Sequence, residues 1–85
     1  MSYRIEVSKS FDTELKKLSK PEQKMVYKKV RILAENPFYP SLRTKKIQGI
    51  ENLFECSVNM DIRIIWQYRE GMIILLLDIG HHDVL

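Results

Sequence analysis

Three consecutive strand-like runs in the second half of the chain constrain its fold more than any other feature. They span residues 53–59, 62–68 and 72–79, and a glycine-containing turn at residues 69–71 joins the last two. The first two runs largely alternate apolar and polar side chains, as strands with one buried face do. The third is apolar on both faces, so we expect it to be a central, covered strand.

One strand-like pattern and two helical patterns precede these runs. Residues 3–7 alternate like a half-buried strand, and Ser8 or Ser10 can then cap a short helix with one apolar face. A second helix is predicted to begin at residues 19–22, where proline suits the first turn, and to end at Asn36-Pro37. Residues 36–51 hold two further prolines and a basic segment, and they predict a long connection of the kind that often carries function.

The predicted fold class is α+β, with the element order β-α-α-β-β-β. We expect an N-terminal helical hairpin packed on one face of a mostly antiparallel four-stranded sheet. A chain of 85 residues is expected to form a single domain over residues 1–85.

Composition excludes several classes of protein. The only cysteine, Cys56, cannot support a disulfide framework and fits a reducing, cytoplasmic setting. No signal peptide is recognisable, and the longest apolar run, residues 72–77, is too short to cross a membrane. Two histidines and one cysteine without suitable spacing predict no metal site, and no motif suggests a cofactor. The net charge of +3 suits a nucleic-acid partner or an acidic protein.

Strand alternation predicts a polar group on the sheet face that the helices leave open. If Phe54 and Ile64 mark the buried faces of their strands, then Glu55, Ser57, Asn59 and Arg63 share the opposite face. Arg63 interrupts an otherwise apolar run. A cross-strand Glu–Arg pair is also a common surface feature that carries no function, so both interpretations stay open.

Two further segments carry candidate side chains. A basic segment lies just before the predicted sheet and contains Arg43, Lys45 and Lys46. It is interpreted either as a solvated loop or as a phosphate-binding segment. His81 and His82 follow the last strand, and we expect one of them to reach the open face, because adjacent side chains on an extended chain point apart.

The sequence as a whole resembles the RelE/ParE toxin superfamily, and especially its RelE-like and YafQ-like members. The matching segments run through nearly the whole chain: Phe11 with Leu15-Lys16-Lys17-Leu18, Asn36-Pro37, residues 42–49, Leu53-Phe54-Glu55, residues 61–66, and residues 75–83.

This resemblance implies a cytoplasmic toxin that is neutralised by a cognate antitoxin protein and that cleaves mRNA on the ribosome without a metal. It implies that Lys45 and Lys46 are phosphate-binding residues and that Arg63 is a cation suited to a phosphate. Glu55 and His82 are then the expected acid–base residues, with His81 and Arg43 as further contacts to RNA. Asp61 also lies where YafQ-like chains have an acidic residue.

The sequence departs from the pattern of this superfamily at two places, so other functions stay open. Ser57 stands where YafQ-like chains have a histidine, and the sequence ends in Asp83-Val84-Leu85 where many relatives have an aromatic residue. The alternatives are a non-catalytic inhibitor of DNA gyrase, resembling the ParE branch, and a relative that keeps the fold without toxicity.

Overall fold

The computed structural model describes residues 2–81, which form two helices, a 3-10 turn and five strands. In chain order the elements are β1 (Arg4–Val7), α1 (Lys9–Lys16), α2 (Lys20–Glu35), the 3-10 helix (Pro40–Leu42), β2 (Lys45–Lys46), β3 (Leu53–Ser57), β4 (Ile62–Arg69) and β5 (Ile73–His81).

Serine caps start both helices: Ser8, one of the two caps predicted for the first helix, and Ser19, within the predicted start of the second. The Ser8 hydroxyl accepts a hydrogen bond from the backbone N–H of Phe11 at 3.0 Å and donates one to the carbonyl of Leu77 at 2.7 Å. It therefore joins the start of α1 to β5. Ser19 and Glu22 form a reciprocal capping box at the start of α2, at 2.9 and 3.2 Å.

The sheet has the strand order β1-β5-β4-β3-β2, in which β1 runs parallel to β5 and all other neighbours are antiparallel. The predicted α+β class and mostly antiparallel sheet are confirmed, but the prediction of four strands is wrong. Residues 45–46, which the sequence places in a connection, pair with β3 as a fifth, edge strand. A two-residue strand is too short to show side-chain alternation, which is why the pattern does not reveal it.

The core lies between the helices and one face of the sheet. The alternation predicted for β3 and β4 is confirmed, since Cys56, Ile62, Ile64 and Trp66 are each at most 1% exposed. Phe11, Leu15, Val26 and Leu33 from the helices complete this core with side chains from β5. Strand β5 is an interior strand, flanked by β1 and β4, but the prediction that it is covered on both faces is wrong. Its side chains on the opposite face of the sheet, such as Leu75, are only half-buried.

An asparagine shapes the turn between β3 and β4. The Oδ1 atom of Asn59 accepts hydrogen bonds from the backbone N–H groups of Asp61 at 2.8 Å and Ile62 at 2.7 Å. The prediction that Asn59 shares a face with Glu55 is wrong, because β3 ends at Ser57 and strand alternation does not extend into the turn. Its side-chain amide instead faces Met25 of α2.

Cys56 is expected to be chemically inert in the folded protein. Burial, with a smaller contribution from the nearby charge of Glu55, raises the pKa of its thiol from 9.0 to about 12. Because the thiolate is the reactive form, labelling with a disulfide reagent at pH 8 should be at least about 100-fold slower in buffer than in denaturing urea. Rapid labelling of the folded protein would show that Cys56 is accessible and ionised.

The Asn59→Ala variant should lose about 1–2 kcal/mol of unfolding free energy, because two backbone donors lose their acceptor. Asn59→Asp keeps a side-chain oxygen in the same position and should remain close to the original protein. Urea unfolding followed by the fluorescence of Trp66, the single tryptophan, measures both variants. Equal losses in the two variants would mean that the acceptor oxygen does not stabilise the turn.

Candidate active site

Arg63 is directed to the open face of the sheet by the burial of its neighbours. Ile62 and Ile64 are both 0% exposed on the helix side of β4, so the side chain between them must lie on the other side. In register with Arg63 are Ser57 on β3 and Gly80 on β5. Gly80 has no side chain, so the guanidinium has no cross-strand side-chain neighbour on the β5 side.

Polar contacts hold the Arg63 guanidinium on this face. Its Nε atom lies 3.6 Å from a carboxylate oxygen of Glu55, and the two side chains are only 17% and 25% exposed. Its Nη1 atom donates to the carbonyl of Asn59 at 2.8 Å and, more weakly, to that of Ile62 at 3.3 Å. Within residues 2–81, Nη2 has no hydrogen-bond acceptor. Two of the three guanidinium nitrogens therefore contact the protein, while Nη2 remains available to an anion.

The two lysines of β2 lie on opposite faces of the sheet. Lys45 is in register with Glu55, so it extends the open-face group to the sheet edge, whereas Lys46 is in register with Phe54 on the helix side. Both are exposed. Arg43 precedes them in a left-handed conformation, with φ 51°, and is also exposed. The structure thus brings Lys45 together with Glu55 and Arg63, and it places Lys46 on the other face.

His81 does not join Arg63. It is in register with Ile62, whose side chain is in the core, so it lies on the helix side of the sheet. There its Nδ1 atom contacts the carboxylate of Asp61. At the start of α2, hydrogen bonds from Ser19 lower the pKa of Glu22; the charge of His81 lowers it slightly more, and the charge of Asp61 opposes this. His82, the other predicted histidine, lies outside the described residues.

Sequence reasoning missed the contact between Asp61 and His81. The two residues lie twenty positions apart, in a turn and at a strand end, so neither alternation nor spacing pairs them. Only the register of β4 against β5 brings Asp61 and His81 together.

Two depressions among the described residues lie away from the open-face site: one is lined by Glu6, Asn52 and Arg69 among others, and one by Arg31, Ile32 and Tyr39 with their neighbours. A partly charged sheet face suits an extended polymer better than a small molecule, which proteins usually enclose.

Residues 2–81 contain no group of three or more histidine, cysteine, aspartate or glutamate side chains arranged to hold a metal ion. Neither of the helices within them combines the length and the apolar content needed to cross a membrane.

No protein-family model matches the sequence, and no curated protein is significantly similar to it. Solved structures, in contrast, match it over nearly its full length. The archaeal RelE of a RelE–RelB complex from Pyrococcus horikoshii OT3 superimposes with a TM-score of 0.83 and 20% identity, covering 100% of both chains. A metal-bound toxin from Helicobacter pylori has a TM-score of 0.76 and 27% identity, covering 100% of this chain and 99% of that one.

A third similar structure is the Escherichia coli DinJ–YafQ toxin–antitoxin complex, with a TM-score of 0.74 and 20% identity, covering 100% of this chain and 98% of the matched one. The sequence resemblance and these structures both extend over nearly the whole chain. The chain has the fold of the RelE/ParE toxin superfamily.

Proposed function

We propose that this protein is the toxin of a type II toxin–antitoxin pair and that it cleaves mRNA on the ribosome as an endoribonuclease. The observation that carries the proposal is the pairing of Glu55 with Arg63 on an open sheet face, with Lys45 beside them at the edge. A carboxylate and two cations on an accessible surface are a suitable set for chemistry at a phosphodiester.

Cleavage of RNA needs a base, a cation and an acid. A base removes the proton of the ribose 2′-hydroxyl, and the resulting oxygen attacks the neighbouring phosphorus. Cations stabilise the charged phosphorane, and an acid protonates the 5′-oxygen as its bond to phosphorus breaks.

We assign these roles by position. Glu55 acts as the acid or the base, at either the 5′-oxygen or the 2′-hydroxyl. Arg63 and Lys45 face the phosphate from the same side of the sheet. His82, which follows His81 in the sequence, is proposed as the complementary acid or base on the resemblance alone. Arg43 and Lys46 are exposed cations close to this edge and are proposed to bind the flanking backbone. His81, turned to the helix side, is proposed as a contact to RNA outside the cleavage site.

The proposed partners follow from the similar structures. RelE from Pyrococcus horikoshii is in complex with RelB, and YafQ from Escherichia coli is in complex with DinJ. We propose that this chain likewise has a cognate antitoxin and acts in the cytoplasm, where ribosomes and mRNA are available.

The Arg63→Ala variant should cleave mRNA at least about 100-fold more slowly, because the phosphorane loses a fixed cation. Purified protein is added to programmed ribosomes, and the new mRNA ends are mapped by primer extension. Arg69→Ala is the matched control, since Arg69 lies on the same strand and is exposed at its far end. It should cleave at the original rate.

Three results would contradict the proposal. Cleavage by Arg63→Ala at the rate of the original protein would show that the Glu55–Arg63 pair has no role in the reaction. Filamentation of expressing cells with intact mRNA would favour inhibition of DNA gyrase by binding. Normal growth of cells that express the protein without an antitoxin would indicate a non-toxic relative.

A further inference from the structure

Strand β5 contains a bulge close to the candidate active site. Ile65 of β4 pairs with Asp78, but the next residue of β4 pairs with Leu76, so Leu77 is an extra residue on β5. The hydroxyl of Ser8 donates a hydrogen bond to the carbonyl of Leu77 at 2.7 Å, so the residue that caps α1 also holds the bulge. Bulges are common beside active sites, where they redirect a side chain.

The side chain that this bulge redirects is Asp78. Ile74 and Leu76 are at most 1% exposed on the helix side of β5, and strict alternation would place Asp78 on that side with them. The extra residue shifts the alternation by one position, so Ile79 is buried instead and Asp78 is half-buried in register with Ile65. Without the bulge, a carboxylate would point into the core. With it, the carboxylate lies on the open face.

Asp78 and Glu55 lie on either side of one residue of the middle strand. Glu55 of β3 and Asp78 of β5 are both in register with Ile65 of β4, so the two carboxylates share a row across the open face. Their strands are about 9.5 Å apart, since neighbouring strands are separated by about 4.8 Å. Arg63 lies on β4, two residues from Ile65, and is therefore a diagonal neighbour of both carboxylates.

The Asp78 carboxylate is only partly satisfied by the protein. Its Oδ1 atom accepts a hydrogen bond from the backbone N–H of Ile79 at 2.9 Å. Within residues 2–81, Oδ2 has no hydrogen-bond donor and Asp78 forms no ion pair, whereas Glu55 is paired with Arg63. A half-buried carboxylate usually has a cation beside it, so the stability of the fold does not account for this one.

The spacing of the two carboxylates suits the cleavage of RNA. The attacking 2′-oxygen and the leaving 5′-oxygen lie in line on opposite sides of the phosphorus, so the acid and the base must approach from opposite sides. Hydrolases that use one carboxylate as acid and another as base across their substrate separate them by roughly 6.5–9.5 Å. Side chains from strands about 9.5 Å apart reach such a separation. The arginine between them then faces the phosphate oxygens.

We propose that Asp78 is a further catalytic residue, which contacts the scissile phosphodiester and takes the acid–base role complementary to that of Glu55. One of the two carboxyl groups takes the proton of the 2′-hydroxyl as the bond from the 2′-oxygen to phosphorus forms. The other gives a proton to the 5′-oxygen as its bond to phosphorus breaks. The inference rests on the proposed function. The resemblance alone assigns the same role to His82, so the two residues are compared directly.

The test compares Asp78→Asn with Asp78→Ala. Asparagine keeps an oxygen that accepts from the N–H of Ile79 but cannot exchange a proton, and alanine loses both properties. Cleavage of mRNA on programmed ribosomes is measured by primer extension, and urea unfolding followed by the fluorescence of Trp66 measures stability. Asp12→Asn is the matched control, because it makes the same chemical change on α1, where the aspartate pairs with Lys16 at 3.1 Å.

We expect Asp78→Asn to unfold at the same urea concentration as the original protein and to cleave at least about 100-fold more slowly. Asp12→Asn should cleave at the original rate. Normal cleavage by Asp78→Asn, with a loss confined to Asp78→Ala, would overturn the proposal, because the aspartate would then only stabilise the bulge. Normal cleavage by Asp78→Asn with a loss in His82→Gln would also overturn it and give the role to the histidine.

A synthetic mRNA with sulfur in place of the leaving 5′-oxygen identifies which carboxyl group is the acid. A thiol is a much stronger acid than an alcohol, so sulfur leaves without being protonated. We expect this substrate to restore most of the lost rate in only one of the two variants Glu55→Gln and Asp78→Asn, namely the one that lacks the acid. Restoration in neither variant would place the acid elsewhere and overturn the proposed pairing.

The same assays separate this inference from the proposed function. If the original protein cleaves mRNA, Arg63→Ala is slow and Asp78→Asn is normal, the nuclease stands and only the role of Asp78 is refuted. If the original protein leaves mRNA intact on ribosomes, both proposals are refuted.

Discussion

The alternation of side chains along β4 is the constraint on which the rest of the structure depends. Ile62, Ile64 and Trp66 are completely buried in the middle strand of the sheet, and each contributes about 1.5–3 kcal/mol by leaving water. A shift of one residue would turn them to the open face and bury Arg63 without partners. The position of the candidate catalytic arginine is therefore a consequence of core packing, and variation on the open face can change chemistry without disturbing the fold.

The open face of the sheet and helix α2 carry their charges in different ways. On the open face, Arg63 is partly buried, fixed by backbone carbonyls and balanced by Glu55, so its geometry is defined before any ligand binds. On α2, four of the five cations are exposed and form no ion pair with any residue in the range 2–81, which gives attraction without fixed geometry. Fixed geometry is required where bonds are broken, and the open face provides it.

The sequence predicts those features that depend on periodicity. The starts of both helices follow from serine and proline, and the buried faces of β3 and β4 and the closeness of Glu55 to Arg63 follow from side-chain alternation. Features set by tertiary register are not predictable in this way. The edge strand at Lys45–Lys46 has too few residues to show a pattern. The contact of His81 with Asp61 depends on how β5 aligns with β4. A bulge interrupts this alignment, so that Ile65 pairs with Asp78 but Trp66 pairs with Leu76. The roles of the site residues in catalysis remain proposals.

The parallel pairing of β1 with β5 joins the two ends of the described chain. The hydroxyl of Ser8 and the carbonyl of Leu77 are hydrogen-bonded across 69 positions of sequence. During translation, β1 emerges first but has no partner strand until β5 has been synthesised, so the sheet cannot close on a partial chain. A nascent chain therefore has an unfinished sheet until residues 73–81 have been synthesised, although β3 and β4, which carry Glu55 and Arg63, can pair earlier.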